Sequence, residues 1–154
     1  MSIDAGSPAP DFTLATDGGG SLTLSSLRGK KVILYFYPKD DTPGCTREAC
    51  AFQEALPDFS GADAVIVGLS RDGAGQHDKF KQKYNLAFTL ASDVDGKVCE
   101  VYGVWVEKSN YGKKYMGIER TTFLIDRQGV VRQVWRKVKV EGHAAKVLEA
   151  AKAL

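Results

Sequence analysis

Histidine and cysteine are both scarce, with two of the first and three of the second, and neither histidine stands at a zinc-like spacing from a cysteine. An odd cysteine count without secretory features argues against a disulfide framework and for free or redox-active thiols. No charge sign dominates: 21 Lys and Arg are dispersed among 19 Asp and Glu, for a net charge of +2, too little to point to nucleic acid. No apolar run reaches membrane-spanning length, and Met1–Pro8 has neither a basic n-region nor an apolar h-region, so the expectation is a cytoplasmic protein that neither crosses nor binds a membrane. Repeats and low-complexity tracts are lacking. The glycine runs Gly18–Gly20 and Gly73-Ala74-Gly75 lack the strand context, the downstream acid and the lysine of nucleotide sites, and read as turns. What is left is a 154-residue chain, 44% hydrophobic, long enough for one full core and expected to form a single domain over 1–154.

The informative stretch begins with Val32-Ile33-Leu34-Tyr35-Phe36-Tyr37, a continuous apolar and β-branched run of the kind that makes a strand buried on both faces. Directly after it comes Pro38-Lys39-Asp40-Asp41-Thr42-Pro43-Gly44-Cys45. Thr42 before Pro43 is pushed toward extended geometry, and proline is favoured at the first helical position. Thr42 therefore reads as an N-cap, and Cys45 falls in the first helical turn. There the free backbone N–H groups and the positive end of the dipole favour an anion and raise the thiolate fraction of a cysteine. Asp40, Asp41 and Glu48 work against this, so a cation is needed from Lys39, Arg47 or a distant residue, for which Arg120 is the candidate.

Cys50 lies five positions further along the same helix. Residues so spaced have Cα atoms about 8–9 Å apart on an ideal helix, whereas a disulfide needs them within about 7 Å. Cys45 and Cys50 can bond only if the first turns of the helix unwind; otherwise Cys50, between two alanines and near Phe52, faces the core. Cys99, in a short helix with Val94, Val98, Val101 and Tyr102 at apolar spacing, reads as a packing residue.

Pro38, Thr42 and Cys45 match the Pro-x-x-x-Thr-x-x-Cys signature of peroxiredoxins, and the Cys45/Cys50 pair resembles the bacterioferritin comigratory protein (peroxiredoxin Q) subgroup. The resemblance runs from Pro8–Phe12 through Val67–Ser70 and Ser92–Gly96 to Gly117–Asp126. It implies a thioredoxin fold with an N-terminal extension, and a thiol peroxidase acting on hydrogen peroxide and organic hydroperoxides without a cofactor or metal. Cys45 would be the peroxidatic nucleophile and Cys50 the resolving thiol of an intramolecular disulfide. Thr42 would bind peroxide, Pro38 shield the pocket and Arg120 stabilise charge. Thioredoxin or a similar dithiol protein would be the reductant, and the enzyme is expected to act as a monomer. The stretch Asp78–Tyr84, where some relatives carry the resolving cysteine, has none.

Element by element, a hairpin of Phe12–Ala15 and Leu22–Leu24 precedes the strand Val32–Tyr37 and a cysteine helix ending near Asp58. A buried strand Ala64–Ser70, a helix over Gly75–Tyr84, an extended piece at Thr89–Ala91 and the Cys99 helix follow. Strands Thr121–Asp126 and Val130–Val138 and a helix from about Glu141 complete the chain. This is an α/β fold with a central mixed sheet flanked by helices. His77 and His143 are expected on solvent-facing helix ends, and Tyr111–Gly117 as a long exposed loop where a reductant could dock. On the residues alone two rivals stand. A disulfide oxidoreductase of the same fold ordinarily uses Cys-x-x-Cys, whereas four residues intervene here; a copper or zinc carrier would need a histidine at ligand spacing.

Overall fold

The computed structural model describes residues 3–154. Its centre is β3 (Lys31–Phe36), buried at every position as its continuous apolar run requires. Period-two alternation divides its side chains between two cores. Ile33, Tyr35 and Tyr37 face one cluster, and Val32, Leu34 and Phe36 the other. Parallel β4 (Ala64–Ser70) lies on one side of β3 and antiparallel β8 (Thr121–Ile125) on the other. Outside β4 lie β5 (Thr89–Ser92) and the hairpin β1 (Thr13–Thr16)–β2 (Ser21–Thr23); outside β8 lies β9 (Val131–Trp135). The seven strands run in the order β2-β1-β5-β4-β3-β8-β9.

Helices cover both faces, the arrangement that a mostly apolar central strand needs. The first cluster packs the sheet against α1 (Pro43–Gly61), α2 (Ala74–Tyr84) and α4 (His143–Ala153) through Phe52, Phe59, Phe80, Val147 and Ala151. On the opposite face, α3 (Lys97–Val101) contributes Cys99, backed by Tyr102 and by Phe12 of the N-terminal segment. This is the thioredoxin-like α/β fold. In β4, Gly68 lies opposite Tyr35, and a Cβ there would come within 2.9 Å of both the tyrosine ring and Leu90, so only glycine leaves room for them.

Three expectations are corrected. His77 and His143 are fully or almost fully buried rather than solvent-facing. His77 shares the inner face of α2 with Phe80, and His143, in the first turn of α4, packs edge-on against Phe52 and Trp135. The stretch Tyr111–Gly117 is no loop: β6 (Trp105–Asn110) and β7 (Lys113–Ile118) form a two-stranded antiparallel hairpin closed by Tyr111-Gly112, both at positive φ as a tight primed turn demands. In α3 the apolar spacing fails, because the helix begins only at Lys97; Val94 and Val101 are exposed while Cys99 and Tyr102 are buried.

Candidate active site

The end of β3 delivers the chain into a short loop that turns back at Asp41, whose φ of 57° is unusual for a residue with a side chain. Lys83 and Tyr84 of α2 hold that turn by hydrogen bonds of 2.8 and 2.6 Å to the Asp41 carboxylate. Thr42 takes the extended N-cap conformation and Pro43 opens α1, as the local sequence dictates. The Thr42 hydroxyl does not cap the helix. It donates to the Lys39 carbonyl at 2.9 Å. The first bond of the ladder runs from the Thr46 N–H to the Thr42 carbonyl, so the N–H groups of Gly44 and Cys45 lie ahead of it, at the electropositive end of the helix.

Cys45 is 2% exposed, its sulfur accepting a 3.3 Å hydrogen bond from Nη2 of Arg120, which sits just before β8. The other terminal nitrogen, Nη1, donates to Glu48 Oε1 at 2.7 Å. Gly44 makes this approach possible, since a Cβ there would stand 3.2 Å from Nη2. The acids that threatened the thiolate are spoken for: Asp41 by Lys83, Asp40 by His77 and Glu48 by Arg120. Burial nonetheless raises the Glu48 carboxyl to about 7 against the pull of Arg120, and its second oxygen has no hydrogen-bond partner among the described residues. Of the cations considered for Cys45, Arg120 is the one placed at its sulfur, while Lys39 and Arg47 are exposed.

Cys50 does not face the core. It is exposed and lines an open groove of about 880 Å³ with Arg47, Glu54, Arg120, Lys139 and Glu141. Both thiols lie within the unbroken helix α1, and neither is in a disulfide. Pro38 borders a separate recess shared with Trp105, Lys108, Tyr115 and Met116, which sets the β6–β7 hairpin at the rim of the loop. Cys99 is fully buried, and burial with the nearby Asp93 carboxylate pushes its thiol far up. Among the described residues no group of three His, Cys, Asp or Glu could hold a metal ion, and no helix is long and apolar enough to cross a membrane.

From the sequence Glu48 reads only as an acid opposing the thiolate, and the pairing of Asp40 with His77 is not visible. Glu48 follows Cys45 by three residues and so shares its helical face, a spacing that could have identified it as the partner of the same cation. His77 and Asp40 meet at 2.6 Å across the fold, and no local pattern carries that contact.

A helix-borne cysteine on a thioredoxin-like sheet, with an arginine on its sulfur and a threonine at the cap, defines a thiol-dependent peroxidase. The sequence comparisons agree. The AhpC/TSA family matches residues 5–134. A Coxiella burnetii protein provisionally named peroxiredoxin Bcp is 62% identical over 148 residues, spanning 96% of this chain and 98% of its own. Peroxiredoxin Bcp of Bacillus subtilis is 51% identical over 152 residues, 99% and 97% of the two chains. Among solved structures, the bacterioferritin comigratory protein of Xanthomonas campestris superposes with a TM-score of 0.91 at 47% identity, over 97% of this chain and 98% of that one. The chain belongs to the AhpC/TSA family, and within it to the Bcp peroxiredoxins. It is a peroxidase that uses a thiol to reduce peroxides and takes its electrons from a thiol reductant.

Proposed function

We propose that the Cys45 thiolate attacks the terminal oxygen of hydrogen peroxide or an organic hydroperoxide. The O–O bond breaks, the terminal oxygen bonds to sulfur, its proton passes to the departing oxygen, which leaves as water or alcohol, and Cys45 becomes a sulfenate that takes a proton from solvent to give the sulfenic acid. The observation that carries this reading is the 3.3 Å contact between Arg120 and Sγ of Cys45 at an uncapped helix N-terminus. Arg120 and the N–H groups of Gly44 and Cys45 stabilise negative charge as it shifts from sulfur to the leaving oxygen. Thr42 contacts the peroxide, and Pro38 shields the sulfur. Alkyl peroxide reduction, the activity ascribed to the Xanthomonas relative, supports including organic hydroperoxides.

Resolution falls to Cys50. The first turns of α1 unwind, the Cys50 thiolate attacks the Cys45 sulfur as the S–O bond breaks, hydroxide leaves and takes a proton from solvent to become water, and a Cys45–Cys50 disulfide forms. An external dithiol protein, thioredoxin or one like it, then reduces the disulfide by exchange, with the whole chain acting in the cytoplasm as one monomeric domain. The exposed position of Cys50 beside a charged groove suits such a partner. Mass mapping after one equivalent of peroxide tests the scheme. The expected product is a Cys45–Cys50 disulfide in the parent and a stalled Cys45 sulfenic acid in Cys50→Ser. A Cys45–Cys99 or intermolecular disulfide would refute the resolving role, and near-full turnover by Cys45→Ser would refute the nucleophile.

A further inference from the structure

A second polar cluster lies behind the active-site loop and takes no part in the cycle above. His77 is fully buried, with Nδ1 2.6 Å from Asp40 Oδ2 and Nε2 2.9 Å from the Ala91 carbonyl of β5. A carbonyl only accepts, so Nε2 carries a proton, and a single further proton lies between Nδ1 and Oδ2. The other Asp40 oxygen accepts the Tyr37 hydroxyl at 2.5 Å. Burial alone would lower the imidazole; its hydrogen bond to Asp40 and that residue's charge outweigh this and raise it, which keeps the proton in the pair.

The backbone of Asp40 is held separately. Its N–H donates to Asp72 Oδ2 at 2.8 Å, and the same oxygen accepts the Ser70 hydroxyl at 2.8 Å. That N–H shares one rigid peptide plane with the Lys39 carbonyl, and no peptide among the described residues is cis, so the two groups point in opposite directions. Fixing the N–H toward Asp72 therefore fixes the Lys39 carbonyl toward Thr42, whose hydroxyl donates to it. A hydroxyl has one proton to give. With that proton committed, Thr42 presents only lone pairs to whatever enters the pocket.

From this chain of contacts we infer that Asp72, Asp40 and His77 are positioning residues that make Thr42 a hydrogen-bond acceptor for the O–H of the hydroperoxide. The acceptor selects the protonated end of the substrate and aims the terminal oxygen at Cys45. Without it, the Lys39–Asp40 peptide is free to rotate and Thr42 can turn its proton into the pocket, where it competes with the substrate's own. The inference rests on the reading of Thr42 as the peroxide contact, and the experiment separates the two.

The measurement is a double-mutant cycle read by two rates at Cys45, one with hydrogen peroxide and one with iodoacetamide, which needs the thiolate but not Thr42. Asp72→Ala and His77→Asn should each slow the peroxide reaction on the order of 10-fold or more while leaving alkylation within about twofold. Asp72→Asn, which keeps an acceptor oxygen, should recover most of the loss. In a Thr42→Val background, Asp72→Ala should add less than about twofold, because the group it orients has gone. Should Asp72→Ala fail to fold, Ser70→Ala, which removes only the hydroxyl bracing Asp72, carries the same cycle. Parental peroxide rates in these variants, equal slowing of both reactions, or effects that multiply in the Thr42→Val background would each overturn the inference while leaving Thr42 in place. A parental peroxide rate in Thr42→Val alone would remove Thr42 from the site and the inference with it.

Discussion

One arginine holds two groups that are both negative when ionised. Arg120 bonds the Cys45 sulfur through one nitrogen and Glu48 through the other, and the packed site leaves it little freedom to choose between them. Replacing it removes the thiolate's cation and leaves Glu48 buried without a partner. Arg120→Met should therefore slow the reaction of Cys45 with peroxide by roughly two orders of magnitude or more. Stopped-flow mixing with peroxide checks this, and a variant matching the parent rate would take Arg120 out of the chemistry. Much of this site is legible in the sequence because its geometry is local. Pro38, Thr42 and Cys45 sit in one octet whose proline and cap residues set the backbone, and the sulfur's place in the first turn follows. Arg120 could be named only as a candidate, because the contact joins residues 75 apart in sequence. The two histidines were misjudged for the same reason: a buried imidazole is satisfied by groups elsewhere in the fold, here Asp40 and Ala91 for His77 and Thr122 for His143.

At the scale of elements, periodicity was a good guide where an element is buried and a poor one where it is not. The strand expected at Ala64–Ser70 is found with those bounds, since both its faces are covered. The β6–β7 hairpin is not legible in the sequence because its strands are largely exposed and polar, so no apolar alternation marks them. Helix α1 runs to Gly61, past Pro57, a residue that would ordinarily end it. Its two ends differ in what holds them. Phe52 and Phe59 anchor the later turns in the core, Phe52 stacked 4.7 Å from Tyr35, while the first two turns carry exposed Pro43, Arg47 and Cys50. Opening the first turns exposes Cys45 and Ala49 but leaves the aromatic anchor in place. Hydrogen exchange on reduced and peroxide-oxidised protein should therefore show lost protection between Thr42 and about Gln53, with the turns around Phe59 still slow. Oxidised Cys50→Ser should keep the whole helix protected. Full protection in a parent that carries the Cys45–Cys50 disulfide would rule out local unwinding.

For the molecule as a whole, two buried groups oppose each other in setting how stability depends on pH. Burial lowers His143 from 6.5 to about 4, so its contribution is complete above pH 6.5 and is lost as pH falls toward 4. Glu48 runs the other way. Raised from 4.5 to about 7, it favours the fold in its protonated form, and stability is lost as pH climbs through that range. Each effect is on the order of 3 kcal/mol across its window, a large share of a typical domain's net stability. Between about pH 4.5 and 6.5 the two slopes cancel, and above 6.5 His77, also raised, adds to the decline that Glu48 begins. Glu48→Gln keeps an oxygen for Arg120 and removes the titration. Relative to the parent, the variant should gain stability steadily from pH 4.5 to 7 and show the uncovered slope of His143, rising with pH up to about 6.5. Urea melts of both proteins at half-unit pH intervals give the difference curve. A difference that stays flat across that range would mean that the Glu48 carboxylate is not the group whose burial opposes folding at neutral pH.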